Sequence, residues 1–107
     1  MKKNPCGTIE IVGARFRGLS QRQVNELIDQ PVTFVREPSN VHDANAIMCY
    51  AEVDAADNHI GYVPAKLAQY FAPMMDAGLS LSAIVSATYP PRLAITATLM
   101  METEDEG

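Results

Sequence analysis

Short stretches in which polar and apolar residues alternate recur along the chain, and most are bounded by Gly, Pro, Asn or Asp. Alternation with a period of two is typical of strands that bury one face. It predicts six β-strands, at residues 8–12, 32–36, 46–51, 60–63, 79–88 and 93–101. Turns are predicted between the third and fourth strands, at residues 54–58, and between the last two, at Pro90 and Pro91.

Two segments follow a helical rather than an alternating pattern. Ser20 can cap a helix of about two turns, and Gln23 stands three residues later as the capping-box partner. Pro64 suits the first position of a second helix, which Gly78 is placed to end. Because Pro73 interrupts this second pattern, we expect a kink there or two short helices.

The predicted order is therefore β-α-β-β-β-α-β-β, in a chain of 107 residues, which is one domain by length. Strands outnumber helices and most connections are short, so we expect a mainly antiparallel α+β fold. A small β-barrel or a strongly bent sheet with two flanking helices satisfies this order. The predicted organisation is an N-terminal arm at residues 1–7, the folded domain at 8–101 and an acidic flexible tail at 102–107.

The charge limits the classes of function. The formal net charge is −5, from 8 basic and 13 acidic residues, which argues against nucleic-acid binding through a broadly basic surface. Most basic residues lie in the first half of the chain, so a local basic surface is still possible. No apolar run reaches the roughly 18–20 residues of a membrane span, and no apolar stretch follows the basic N-terminus as in a secretory signal. A soluble, cytoplasmic protein is expected.

Catalytic and metal-binding motifs have little support. The sequence contains no phosphate-binding glycine motif and no Gly-x-Ser-x-Gly elbow. His42, His59 and Asp43 could bind a metal only if the fold brought them together. The two cysteines, Cys6 and Cys49, are far apart, and we expect Cys49 to be a buried, inert thiol. We therefore expect a non-enzyme with no cofactor and no metal.

The loop at residues 37–47 is rich in turn-forming residues. Asn40 and Asn45 are expected to hydrogen-bond to nearby backbone and to hold the loop in a tight shape. His42 and Asp43 would then form a donor and acceptor pair at a fixed loop tip, where ligand contacts are common.

Two further clusters could contact a ligand. In the first, the cation of Arg15 and the ring of Phe16 could bind a phosphate and stack on a base. Taken alone, however, this cluster is better explained by a surface Arg and a buried Phe. In the second, Tyr62 precedes the second helix and Lys66 lies in its first turn. A cation there opposes the helix dipole, so it would suit a position that faces an anionic ligand.

These clusters carry a family resemblance. The matching pieces are Val-Gly-Ala-Arg-Phe at 12–16, Val-Arg-Glu-Pro-Ser-Asn at 35–40, Asp-Ala-Asn-Ala-Ile at 43–47, Ile-Gly-Tyr-Val-Pro at 60–64, Leu-Ala at 67–68 and Met-Asp-Ala-Gly at 75–78. In this order and spacing they resemble the HIRAN domain over about residues 8–99, and in particular the members of that family that occur alone in bacteria. The resemblance implies an OB-like barrel with two helices and recognition of the 3′-hydroxyl end of single-stranded DNA, in DNA repair or processing.

The resemblance also implies roles for individual residues. Arg15 and Lys66 would hold phosphate, Phe16 and Tyr62 would stack on bases, and His42 with Asp43 would read the terminal hydroxyl. Lys66 would replace a basic residue that eukaryotic members of the family have at the position of Ala65. Leu93 corresponds loosely to an apolar contact from the last hairpin. A helicase, a nuclease or another repair protein is the implied protein partner.

Two other interpretations remain open at this point. The acidic net charge and Ala65 favour a protein-interaction adaptor that keeps the fold without binding DNA. A hydrolase would require a histidine, a carboxylate and a nucleophile within hydrogen-bond reach of one another. The adaptor and the DNA-binding module differ in whether Arg15, Phe16, His42, Asp43 and Tyr62 converge on one exposed pocket.

Overall fold

The elements follow one another in the predicted order, with one additional 3₁₀ helix. The structure is a computed structural model that describes residues 2–53, 58–89 and 94–103. Within these residues the elements are β1 (Lys2–Ile11), the 3₁₀ helix (Ala14–Arg17), α1 (Gln21–Asn25), β2 (Pro31–Arg36), β3 (Ile47–Tyr50), β4 (His59–Tyr62), α2 (Ala65–Asp76), β5 (Leu81–Tyr89) and β6 (Ala94–Thr103).

All six described strands belong to one antiparallel sheet in the order β1-β6-β5-β2-β3-β4. The sheet curls until its two edge strands meet at one end. There the Val12 N–H donates to the Tyr62 carbonyl at 2.9 Å, and the Tyr62 N–H donates to the Val12 carbonyl at 2.8 Å. The result is a curled half-barrel with two helices, and it confirms the mainly antiparallel α+β fold.

The junction between β1 and β4 requires a glycine. A Cβ atom at Gly61 would lie 2.5 Å from the carbonyl oxygen of Val12 and 2.8 Å from a methyl group of Ile11. Both distances are far shorter than van der Waals contact. The two edge strands can therefore approach this closely only because residue 61 has no side chain.

The core lies inside the curl and follows the alternation of the strands. In β2, for example, Val32 and Phe34 are buried while Thr33 and Val35 are exposed. Cys49 is fully buried, as expected, and burial raises the pKa of its thiol well above its ordinary value. This raised pKa disfavours the reactive thiolate.

The helix ends show one confirmed prediction and two differences. The Ser20 side chain accepts from the Gln23 N–H, and the Gln23 side chain accepts from the Ser20 N–H, so the capping box forms. The α1 helix has only 5 residues, fewer than the two turns expected. The expected alternative of two short helices is wrong, because α2 is one helix of 12 residues with Pro73 near its end. There the missing N–H of Pro73 removes a single backbone bond.

The chain ends differ most from the expectation. The predicted arm is part of β1, which begins at Lys2 and pairs with β6 up to Thr103, two residues into the predicted tail. Alternation does not reveal this extension, because the ladder shifts register between Pro5 and Gly7. Residues 104–107, the predicted turns at 54–57 and 90–91, and Leu93 lie outside the described residues. Neither helix in the described part has the length and apolar character to cross a membrane.

Candidate functional site

An open groove of about 340 Å³ lies where the β1–β4 junction meets the loop at residues 37–46 and the start of α2. Its lining residues are Val12, Asn40, His42, Asp43, Ala46, Tyr62, Val63 and Ala65. Three residues that the sequence singled out, His42, Asp43 and Tyr62, therefore meet in one groove. They come from two segments that all of β3 and most of β4 separate along the chain, and the curl of the sheet brings them together.

Side-chain bonds to backbone fix the loop that carries His42 and Asp43. The Asn40 Oδ1 accepts from the N–H groups of His42, at 2.9 Å, and Asp43, at 3.0 Å. The Asp43 Oδ1 accepts from the Asn45 N–H at 2.8 Å. These bonds confirm the expected role of Asn40. The Asn45 side chain, in contrast, has no hydrogen bond within the described part of the chain.

Glu37 connects this loop to β4. Its Oε1 accepts from the Asn40 Nδ2 at 2.6 Å and from the Tyr62 hydroxyl at 3.0 Å. The hydrogen bond from Asn40 lowers the pKa of Glu37 below its ordinary value, with further lowering by Tyr62 and by the positive charge of Arg17, although partial burial opposes the shift. Burial and the bond to Glu37 raise the pKa of Tyr62. Sequence reasoning missed Glu37, although it begins the Glu-Pro-x-Asn run.

Arg36 holds the same loop from the other side. Its Nη1 donates to the Ala46 carbonyl at 2.7 Å and its Nη2 donates to the Ala44 carbonyl at 3.1 Å. Its Nε donates to the Asp76 carboxylate at the end of α2, at 3.1 Å. A guanidinium can make all these bonds at once because its donors form a planar fork. The loop is therefore tied to both the sheet and α2.

Three aromatic rings form a layer behind the groove, which we call the aromatic layer: Tyr50, His59 and Tyr62. The ring of His59 is stacked on Tyr50, with centroids 5.1 Å apart, and meets Tyr62 edge to face at 4.9 Å. His59 is buried, and its Nε2 lies 2.9 Å from the Gly61 carbonyl oxygen. His59 thus supports the Tyr62 ring and does not line the groove with His42. Across the described residues, no three His, Cys, Asp or Glu side chains are grouped to hold a metal ion.

The 3₁₀ helix begins two residues after Val12 and packs beside β4. Phe16 is 85% exposed, so the simple expectation of a buried Phe is wrong. The Arg17 Nε donates to the His59 carbonyl at 3.2 Å, which places a cation beside the groove. The sequence motifs alone did not assign Arg17 to the site. Arg15 lies in the same helix, but its side chain is outside the described set.

Lys66 is exposed in the first turn of α2, next to the groove-lining Ala65. Lys66 itself is not among the lining residues. The structure thus brings His42, Asp43 and Tyr62 together, with Phe16 and Lys66 on elements that flank the groove.

The fold is shared with solved structures. A crystal structure of a protein from Lactobacillus plantarum is similar with a TM-score of 0.72 and 24% sequence identity, over 94% of this chain and 95% of that chain. The crystal structure of the HIRAN domain of human HLTF is similar with a TM-score of 0.68 and 21% identity, over 89% of this chain and 78% of that chain. These likenesses confirm the OB-like fold. No curated protein matches the sequence.

The sequence also matches a family model, and this match identifies the family directly. The HIRAN domain model matches residues 6–104, which is most of the 107-residue chain. Together with the fold, this supports a nucleic-acid-binding module. The chain belongs to the HIRAN domain family.

Proposed function

We propose that this protein is a non-catalytic module that captures the 3′-hydroxyl end of single-stranded DNA in the groove. The observation that carries the proposal is the meeting of His42, Asp43 and Tyr62 in one groove of about 340 Å³. A polar pair at a fixed loop tip and an aromatic ring are the groups that a terminal nucleotide would need.

In this proposal, the Asp43 carboxylate recognises the terminal hydroxyl by accepting a hydrogen bond from it. Its Oδ1 already accepts from the Asn45 N–H, which fixes the direction of the carboxylate. Its other oxygen has no hydrogen bond within the described residues and is available to accept from a 3′-hydroxyl. A 3′-phosphate would meet a like charge at the same place and would be repelled.

The flanking elements supply contacts to bases and phosphates. Phe16 presents an exposed ring on which a base can stack, and such stacking contributes about 1–3 kcal/mol per base. Arg15 and Lys66 would hold phosphates from two sides, and Arg17 adds a cation beside the groove. With so few cations in an acidic protein, binding should weaken steeply as salt increases. A cytoplasmic role in DNA repair or processing, beside a helicase or nuclease, is part of the proposal.

The test is fluorescence anisotropy at low salt with short single-stranded DNA that ends in a 3′-hydroxyl or a 3′-phosphate. An RNA of the same sequence measures the selectivity for DNA. We expect the wild type to bind the 3′-hydroxyl end more tightly than the 3′-phosphate, and Asp43→Asn to remove this preference. Asp43→Asn keeps an oxygen that can accept from Asn45, so the loop should retain its shape.

Asp29→Asn is the matched control. It makes the same change of charge at an exposed residue in the connection between α1 and β2, and Asn tolerates the positive φ of 71° found there. Arg15→Ala should weaken binding to both ends. If the folded wild type bound neither end at low salt, the proposal would be wrong and the protein-interaction adaptor would be favoured.

A further inference from the structure

A second cavity of about 350 Å³ lies on the other side of the aromatic layer. Its lining residues are Pro31, Thr33, Tyr50, Ala51, Glu52 and Asn58. We propose that this cavity receives a base of the same DNA strand, upstream of the 3′-terminal nucleotides. The inference rests on the proposed function, because it extends the same binding site.

The first argument is that the two cavities share a wall. Tyr62 lines the groove and Tyr50 lines the second cavity, with His59 between them. Because the centroid of His59 is 5.1 Å from that of Tyr50 and 4.9 Å from that of Tyr62, the two tyrosine rings lie within about 10 Å of each other. A strand that ends in the groove therefore needs only a short extension to reach the second cavity.

The second argument is that the connecting surface is continuous. Met48 and Tyr50 are two residues apart in β3, so their side chains lie on the same face of the sheet. Met48 is paired with Tyr62 in β4, and Tyr50 is paired with Thr33 in β2. One face of the sheet therefore carries Tyr62 at the groove, Met48 in β3, and Tyr50 and Thr33 at the second cavity.

The third argument concerns which part of a nucleotide fits. Tyr50 is half-buried with one face stacked on His59, and its hydroxyl donates to the Met48 sulfur at 3.5 Å, so the ring is held as a platform. The side chains of Thr33 and Asn58 have no hydrogen bonds within the described residues and can pair with a base edge. The carboxylate of Glu52 repels phosphate. These groups favour a base in the cavity, with its phosphate pointing outward.

The experiment measures affinity against oligonucleotide length, with a trinucleotide and a hexanucleotide that both end in a 3′-hydroxyl. We expect the wild type to bind the hexanucleotide about tenfold more tightly, as one additional stacked base would provide. Tyr50→Ala should remove this gain, so that the two lengths bind with equal affinity. Tyr70→Ala, at an exposed tyrosine of α2, is the matched control and should keep the gain.

Thr33→Tyr provides an independent test if Tyr50→Ala fails to fold. Thr33 is an exposed strand position, so a tyrosine there fills the cavity without removing any core contact. It should also remove the gain. Equal wild-type affinity for the two lengths, or an unchanged gain in Thr33→Tyr, would overturn the inference and leave the proposed function intact. Failure of both oligonucleotides to bind the folded wild type would overturn both.

Discussion

The two sides of the groove differ in how many side-chain hydrogen bonds hold them in place. On one side, the loop at residues 37–46 is fixed by side-chain bonds from Arg36, Glu37, Asn40 and Asp43 to the loop itself or to its neighbours. On the other side, the 3₁₀ helix is four residues long and projects Phe16 with 85% of its surface exposed. The loop is therefore held in one shape by hydrogen bonds, whereas the 3₁₀ helix presents an exposed aromatic ring at the surface.

In the proposed function, the two sides of the groove would perform two different tasks. Recognition of a hydroxyl needs acceptors at fixed positions, because hydrogen bonds depend strongly on geometry. Stacking on a base depends less on the identity of the base, because every base has a π-face. We infer that the loop side sets specificity for the end and that the 3₁₀ side adds affinity.

Gly61→Ala should have the largest effect, because both sides of the groove depend on the β1–β4 junction. The new Cβ would clash with backbone atoms of Val12, at a cost of about 3 kcal/mol, the upper end of the range for overpacking. Chemical denaturation measures this cost. Gly78→Ala is the control, since no atom lies within 4 Å of its Cβ position and only backbone strain of about 1 kcal/mol is expected. If Gly61→Ala and Gly78→Ala lowered the free energy of unfolding equally, the β1–β4 junction would not be tightly packed.

Asn40→Ala should have the next largest effect and should act on the loop side alone. It removes two bonds to backbone N–H groups, at about 1 kcal/mol each, and the bond to Glu37. We expect a loss of about 2 kcal/mol in the free energy of unfolding and a loss of preference for the 3′-hydroxyl. Asn45→Ala is the matched control. If it destabilised the protein as much as Asn40→Ala, the assignment of the loop bonds would be wrong.

Lowering the pH should destabilise the folded protein through Glu37, by less than either of the two substitutions above. The pKa of Glu37 is lowered in the folded protein, so its carboxylate stabilises the fold above the ordinary value of 4.5, and this stabilisation is lost as the pH falls through the lowered pKa. In Glu37→Gln the decrease in stability between pH 7 and this acidic range should be smaller than in the wild type. Denaturation midpoints at the two pH values measure it, and an identical decrease in both proteins would contradict the prediction.

Phe16→Ala should have the smallest effect on stability and a clear effect on binding. Because the ring is mostly exposed, the free energy of unfolding should change by no more than about 0.5 kcal/mol. The affinity for single-stranded DNA should fall by about 1–3 kcal/mol, equally for 3′-hydroxyl and 3′-phosphate ends. A selective loss for one end would show that the 3₁₀ side also contributes to specificity. Tyr70→Ala, at another exposed aromatic residue, should change neither quantity.

The sequence by itself determined the order of the elements and much of the loop. Strand alternation and the capping box at Ser20 depend on neighbours in the chain, and so do the turns that Asn40 makes with the backbone of His42 and Asp43. Such short-range patterns can be read directly from the sequence. The motif at residues 37–47 therefore pointed to the loop that lines the groove, and the roles of its residues in binding DNA stay predictions.

Only the tertiary structure determined which residues far apart in the sequence contact one another. The bond between Glu37 and Tyr62 joins residues 25 positions apart, and the close approach of Gly61 to Val12 depends on the curl of the whole sheet. The extension of β1 over the predicted arm likewise requires β6 as a partner. No local pattern encodes these contacts, because they arise where distant segments pack together. For the same reason, the second cavity behind the aromatic layer could not be predicted from the sequence.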